Sequence, residues 1–151
     1  MMTLKCSALI IEQTLSLLRR SAENSVERVV LWLGHDRPNA LEVAEVFEPD
    51  QVTAIDYFEI PAESMRTLMF HLRRSRMKII AQLHTHPKEA FHSRADDKWA
   101  IIRHSGALSL VLPRFASGTQ VSNFLEQVKT YELSSENRWL LIDNERIEIV
   151  T

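Results

Sequence analysis

The order of apolar patterns along the chain predicts an α/β or α+β sheet domain. Two observations carry this. Helical stripes alternate with short apolar runs of strand length, and the last third of the chain runs into strands. Neither Gly/Pro-rich linkers nor repeats nor low-complexity tracts divide the chain, and 151 residues suffice for one domain with a real core. Residues 1–151 are therefore expected to form a single domain. Strand direction is not readable from these patterns.

The elements follow in order. Leu4, Ala8, Ile11, Leu15 and Leu18 fall at steps of four and three, one stripe of an amphipathic helix. Arg19 and Arg20 suit its C-terminal end, where cations favour the helix dipole. Val29 to Leu33 reads as a buried strand, broken by the turn His35-Asp36-Arg37-Pro38-Asn39. Val43 to Phe47 and Val52 to Ile60 read as further strands. After Pro61, Met65, Leu68, Met69 and Leu72 sit at helical spacing and are expected in the core. Lys78 to Leu83 reads as another buried strand. A helix from Ser93 to His104, a strand from Leu108 to Leu112 and strands near Val128, Trp139 and Ile147 complete the order. Trp32 and Trp99 are expected to pack in the core. The basic run Arg73-Arg74-Ser75-Arg76-Met77-Lys78 reads as a solvated helix end and connection.

Residues 84 to 96, His-Thr-His-Pro-Lys-Glu-Ala-Phe-His-Ser-Arg-Ala-Asp, carry the chemistry. On a strand, residues two apart share a face, so His84 and His86 would present both rings to one point, with Thr85 turned away. Two imidazoles with the carboxylate of Asp96 make a three-ligand zinc set that leaves a fourth position for water. Each piece also has a plainer reading. His-x-His on a strand is often a pair of ordinary half-buried histidines. Ser93-x-x-Asp96 is also a helix-start signature, with Ser93 as N-cap. Capping does not compete with ligation, because a capped first turn would hold Asp96 rigidly enough to reach back to the strand end. His35, His71 and His104 lack partners at ligand spacing, and His92 reads as an exposed loop residue.

Composition narrows the function classes. Hydrophobic content of 45% and charged content of 25% are ordinary for a globular protein. A net charge of −2 argues against a general nucleic-acid binder. Cys6 is the only cysteine, which excludes an intramolecular disulfide, a Cys-rich zinc cluster and the Pro-Cys-x-x-Cys pattern of the zinc deaminases. The apolar stretch from Leu4 to Leu18 is interrupted by Lys5, Glu12 and Gln13 and lacks a cleavage site, so no signal peptide is expected. Nor does any span approach the roughly 20 apolar residues of a membrane helix. A cytoplasmic location is expected.

His84-Thr85-His86-Pro87 followed by Ser93-x-x-Asp96 strongly resembles the JAMM motif of the JAB/MPN metalloprotease family. The family's distant glutamate has its counterpart in Glu27, which precedes a strand ending in Gly34. Leu108 to Pro113 resembles the strand after the metal helix, and Val128 to Trp139 resembles the closing hairpin, so the resemblance runs from about Glu27 to the C terminus. Phe91-His92-Ser93 with the doubled Asp96-Asp97 looks most like bacterial members encoded beside ubiquitin-activating and ubiquitin-conjugating-like proteins, some in anti-phage operons. Two departures stand out. The loop between His86 and Ser93 is one residue shorter than in eukaryotic deubiquitinases of the family, and Val30 replaces a frequent strand glycine.

The resemblance implies a mixed central sheet flanked by helices, cytidine-deaminase-like. It implies one Zn²⁺ per chain held by His84, His86 and Asp96, with Glu27 as general base and Ser93 as oxyanion donor. The implied reaction is cleavage after the C-terminal Gly of a ubiquitin-like protein, with activating- and conjugating-enzyme-like proteins as partners and no nucleic acid or membrane. Edge-strand pairing with the substrate tail is expected around Val52 to Ile60. Two rivals stay open: a non-catalytic MPN-type scaffold, and a zinc hydrolase acting on a sulfur-carrier adduct or a nucleotide.

Overall fold

An eight-stranded sheet organises the chain, its strands ordered Ile147–Val150, Thr3–Ser7, Ala40–Phe47, Val29–Asp36, Lys78–Thr85, Leu108–Leu112, Lys129–Leu133 and Trp139–Ile142. The computed structural model describes residues 2–54, 58–90 and 101–151. In chain order the strands are β1 (Thr3–Ser7), β2 (Val29–Asp36), β3 (Ala40–Phe47), β4 (Val52–Thr53), β5 (Phe58–Glu59), β6 (Lys78–Thr85), β7 (Leu108–Leu112), β8 (Lys129–Leu133), β9 (Trp139–Ile142) and β10 (Ile147–Val150). Among the described residues the α-helices are α1 (Ala8–Leu18), α2 (Arg20–Asn24), α3 (Ala62–Ser75) and the short α4 (Phe124–Gln127). β1 runs parallel to both β10 and β3, and β6 parallel to β7, while the other pairs in the sheet are antiparallel. The fold is thus the expected mixed α+β sheet with flanking helices.

Period-two alternation sorts the sheet into two faces. Val30 and Trp32 of β2 pack with Ile10, Ile11, Leu15 and Leu18 of α1, whereas Leu31 and Leu33 meet Leu68 of α3. The Trp32 indole N–H donates to the Thr14 hydroxyl at 2.8 Å, which donates on to the Ile10 carbonyl at 2.7 Å. This chain satisfies the polar atoms of a buried joint that also stacks Trp32 on Phe124 at 6.1 Å. Trp32 is therefore packing, as expected. Gly34 lies at a register shift between β2 and β3, and a Cβ there would sit 1.8 Å from the Glu42 carbonyl oxygen. Only a residue without a side chain allows the two backbones to approach so closely.

Several boundaries differ from the sequence expectation. Leu4 does not start the first helix: it lies in β1, where Leu4 and Cys6 alternate inward. The helix begins after Ser7, whose side chain accepts from the Ile10 N–H at 3.1 Å. Val52 to Ile60 is not one strand; β4 and β5 pair antiparallel, Val52 with Glu59 and Thr53 with Phe58, in a separate two-stranded sheet. The α3 stripe is only partly core, since Leu68 is its one fully buried side chain and Met69 is 50% exposed. The expected Ser93–His104 helix falls mostly on residues 91–100, outside the described residues, and Ile101 to His104 are not helical. Trp99 lies outside them too. Among the described residues no helix is long and apolar enough to cross a membrane.

Candidate functional site

β6 carries the two candidate histidines at its C-terminal end, in the middle of the sheet. Ile80 through His86 are all buried, so the strand brings two imidazoles into the interior, His84 at 0% and His86 at 3% exposure. Their ring centres lie 5.5 Å apart, inclined at 46°. Two imidazoles sharing one tetrahedral zinc at about 2.0–2.1 Å per nitrogen would have ring centres about 5 Å apart. The donor chemistry and the spacing of this pair therefore fit a zinc ion.

β2 brings the carboxylate. Val29 pairs with His84, and the ladder extends through the Thr85 N–H, which donates to the Arg28 carbonyl at 3.2 Å. Antiparallel register then sets Glu27 level with His86, and directly opposed residues share a face. Glu27 is 2% exposed, and its N–H donates to the Ala54 carbonyl at 2.7 Å, tying the start of β2 to the β4–β5 hairpin. A carboxylate placed there is withdrawn from bulk water. Thr85 alternates away from the histidines, and its hydroxyl accepts the Arg28 N–H at 3.2 Å.

Three supports around these residues carry no signal in the sequence. The Gln51 amide accepts from the Val29 N–H at 2.8 Å and donates to the Val29 carbonyl at 2.9 Å. It thus stands in for a strand neighbour where β3 has diverged. Phe58 of β5, wholly buried, packs its ring 5.4 Å from the His84 ring. After β7, Pro113 leads into a turn in which Arg114, Phe115 and Ala116 take φ of 51°, 53° and 62°. Left-handed backbone at a non-glycine residue costs roughly 1–2 kcal/mol each. The turn is held because its amides are used. Phe115 N–H donates to the His86 carbonyl and Arg114 N–H to the Lys88 carbonyl, both at 2.8 Å, and the His86 N–H donates to the Leu112 carbonyl at 2.9 Å. A glutamine far from any motif, a hairpin aromatic and a strained turn without glycine are invisible to pattern reading. Behind the site, Arg28 pairs with Glu48 at 3.5 Å, which also holds Arg20 at 3.3 Å.

The structure thus brings His84 and His86 together and buries Glu27 in the segment that leads into the neighbouring strand β2. Ser93 and Asp96, the remaining predicted site residues, lie outside the described residues, as does His92. Among the described residues no three His, Cys, Asp or Glu side chains form a metal-binding group. One further fixed point is Gln82 of β6, wholly buried. Its carbonyl oxygen accepts from the Ile101 N–H at 2.9 Å, and its amide donates to the Ser109 hydroxyl at 3.1 Å. It anchors the chain where it returns after residue 100.

The fold and the paired histidines define a mixed-sheet protein with the makings of a metal site. A probable metalloprotease, y4jG, of Sinorhizobium fredii is 32% identical over 126 residues, 81% of this chain and 76% of that protein. The chain belongs to this metalloprotease family, which makes a metallopeptidase its coarse function and a metal its implied cofactor. No family model matches the sequence. The solution structure of protein DSY2949 from Desulfitobacterium hafniense shares the fold, with a TM-score of 0.70 over 98% of this chain and 93% of that one at 13% identity.

Proposed function

We propose that the chain is a JAMM-type zinc isopeptidase or peptidase of the JAB/MPN family. Its reaction is cleavage after the C-terminal Gly of a ubiquitin-like protein, by deconjugation or precursor trimming, in a cytoplasmic bacterial ubiquitin-like anti-phage system. The observation that supports this reading best is the β2–β6 register, which sets buried Glu27 level with His86 and on the face of the histidine pair.

His84 and His86, with Asp96, would hold one Zn²⁺ per chain. When bound, the ion supplies a Lewis acid for the scissile carbonyl and an acidified water as nucleophile. Glu27 would take the proton of the attacking water on its carboxylate and hand it to the leaving amine nitrogen, a shuttle worth about 10²- to 10⁴-fold. The Ser93 hydroxyl would donate to the carbonyl oxygen as charge develops there, worth roughly 10²- to 10³-fold. The extended substrate tail would pair along the β4–β5 hairpin, which meets Glu27 through the Ala54 carbonyl. Activating- and conjugating-enzyme-like proteins would supply the conjugates.

The deciding experiment starts with elemental mass spectrometry of the purified protein and of His86→Ala. About one zinc per chain, lost in the variant, is expected, followed by cleavage of a ubiquitin-like precursor fusion. Full cleavage by Glu27→Ala would overturn the mechanism. No metal in either protein after zinc is supplied at neutral pH would overturn the site.

A further inference from the structure

At the other end of β6 the molecule presents an open, cation-rich surface. α3 has 14 residues, yet Leu68 is its only fully buried side chain. Met69 and Phe70, adjacent large apolar residues, are 50% and 61% exposed. They form a ridge with a groove on either side. One groove, about 680 Å³, has Met69, Leu72, Met77, Ile79 and Ile102 among its apolar lining residues. The other, about 510 Å³, lies beside Phe70 and His71. Volumes of this order are those of ligand-accepting clefts, and an apolar ridge left in water marks an interaction surface.

Charge says what kind of partner fits. Among the described residues the larger groove is lined by Arg73, Lys78, Arg103 and His104 and by no carboxylate, and Arg74 lines the smaller. Lys78 is partnered by Asp36 at 2.8 Å, and Arg103 donates to Asn137 at 3.0 Å. Arg73, Arg74 and Arg76 are exposed and form no ion pair among the described residues. This concentration stands out on a chain whose formal net charge is −2. Two grooves flanking a ridge accept projecting side chains, which a flat bilayer does not offer. The two methionines adapt their shape readily to an inserted side chain.

We propose that the C-terminal half of α3 and its flanking grooves form a docking surface for a protein segment that carries carboxylates around an apolar side chain. The surface is separated from the histidine pair by the length of β6, about 20 Å from Lys78 to His84 at strand rise, and the inference does not depend on the metal reading.

The probe is a short fluorescent peptide of alternating Glu and Leu, compared with the same peptide carrying Gln for Glu and with one carrying Ser for Leu. Full-length protein should bind the first in fluorescence anisotropy and bind both controls at least about tenfold more weakly. Raising salt from about 50 to about 300 mM should weaken binding several-fold. Met69→Ser and Arg73→Glu, both at exposed positions, should each weaken the acidic peptide about tenfold or more while circular dichroism stays unchanged. Equal binding of all three peptides, no binding at about millimolar concentration, or no response to either substitution would overturn the proposal. Co-sedimentation with phosphatidylserine vesicles without peptide binding, or a Met69-dependent dimer by ultracentrifugation, would also overturn it and assign the surface to a membrane or to a second copy.

Discussion

The two ends of β6 are built on opposite principles. At its C-terminal end, His84, Thr85 and His86 are buried, and hydrogen bonds brace this segment from two sides: Arg28 just before β2, and β7 with the turn that follows it. At its N-terminal end, Lys78 is exposed and the covering helix α3 buries a single side chain. Packing of the first kind fixes side-chain positions to a fraction of an ångström, as chemistry on a scissile bond demands. Packing of the second kind leaves adaptable surface. One strand therefore serves a rigid site at one end and an open face at the other.

The sharpest way to break this comparison is to remove chemistry from the braced end without touching its packing. Glu27→Gln keeps the size and burial of the side chain but cannot take a proton. Cleavage of a modifier fusion should fall about 10²- to 10⁴-fold, with the melting temperature held within a few degrees and zinc content unchanged. Loss of the fold instead of the rate would show that Glu27 braces the strand rather than serves a reaction.

Stability should separate the two regions as well. Leu31→Ala, in the core between β2 and α3, should cost about 2–5 kcal/mol in urea unfolding. Met69→Ala on the exposed ridge should stay within about 0.5 kcal/mol. Equal costs would mean that α3 is as tightly packed as the sheet. Between these extremes lies the bracing itself. Gln51→Ala strips the Val29 N–H and carbonyl of their side-chain partner and should cost about 1–3 kcal/mol. It should also lower zinc affinity more than Met69→Ala does, since Val29 sits opposite His84.

What the sequence revealed follows the same division. β7 is found where its largely apolar run from Leu108 to Leu112 places it, and β6 extends the expected strand through Thr85. Runs this apolar have one way to be buried in a sheet, so strand pattern and tertiary structure agree. The histidine spacing was legible for the same reason: strand geometry converts a two-residue interval into a shared face. Leu4 misled because its spacing to Ala8 suits a helix while its neighbours Thr3 and Cys6 suit a strand, and Ser7 capping decides the boundary. Val52 to Ile60 misled because strand propensity does not tell one strand from two that fold back on each other. The supports from Gln51, Phe58 and the left-handed turn depend on long-range contacts, and no local spacing encodes those.

The smallest expected effect concerns Cys6, on the inward face of β1 and remote from both ends of β6. Burial pushes its thiol up from the ordinary 9.0 to about 12, because the thiolate would be desolvated there. At pH 8 the folded protein should therefore react with a thiol reagent orders of magnitude more slowly than the urea-unfolded chain. The sign of the stability effect follows from proton uptake. Below pH 9 both states keep the proton and Cys6 adds no pH dependence. Between pH 9 and about 12 the unfolded chain releases the proton while the folded one retains it, so stability falls as pH rises. Cys6→Ala should remove that part of the alkaline decline and leave the acid side unchanged. Rapid labelling of the folded protein at pH 8 would show that β1, parallel to β10 at the sheet's edge, opens far more readily than the β2–β6 centre, and the rigid region would then shrink to the strands that hold the site.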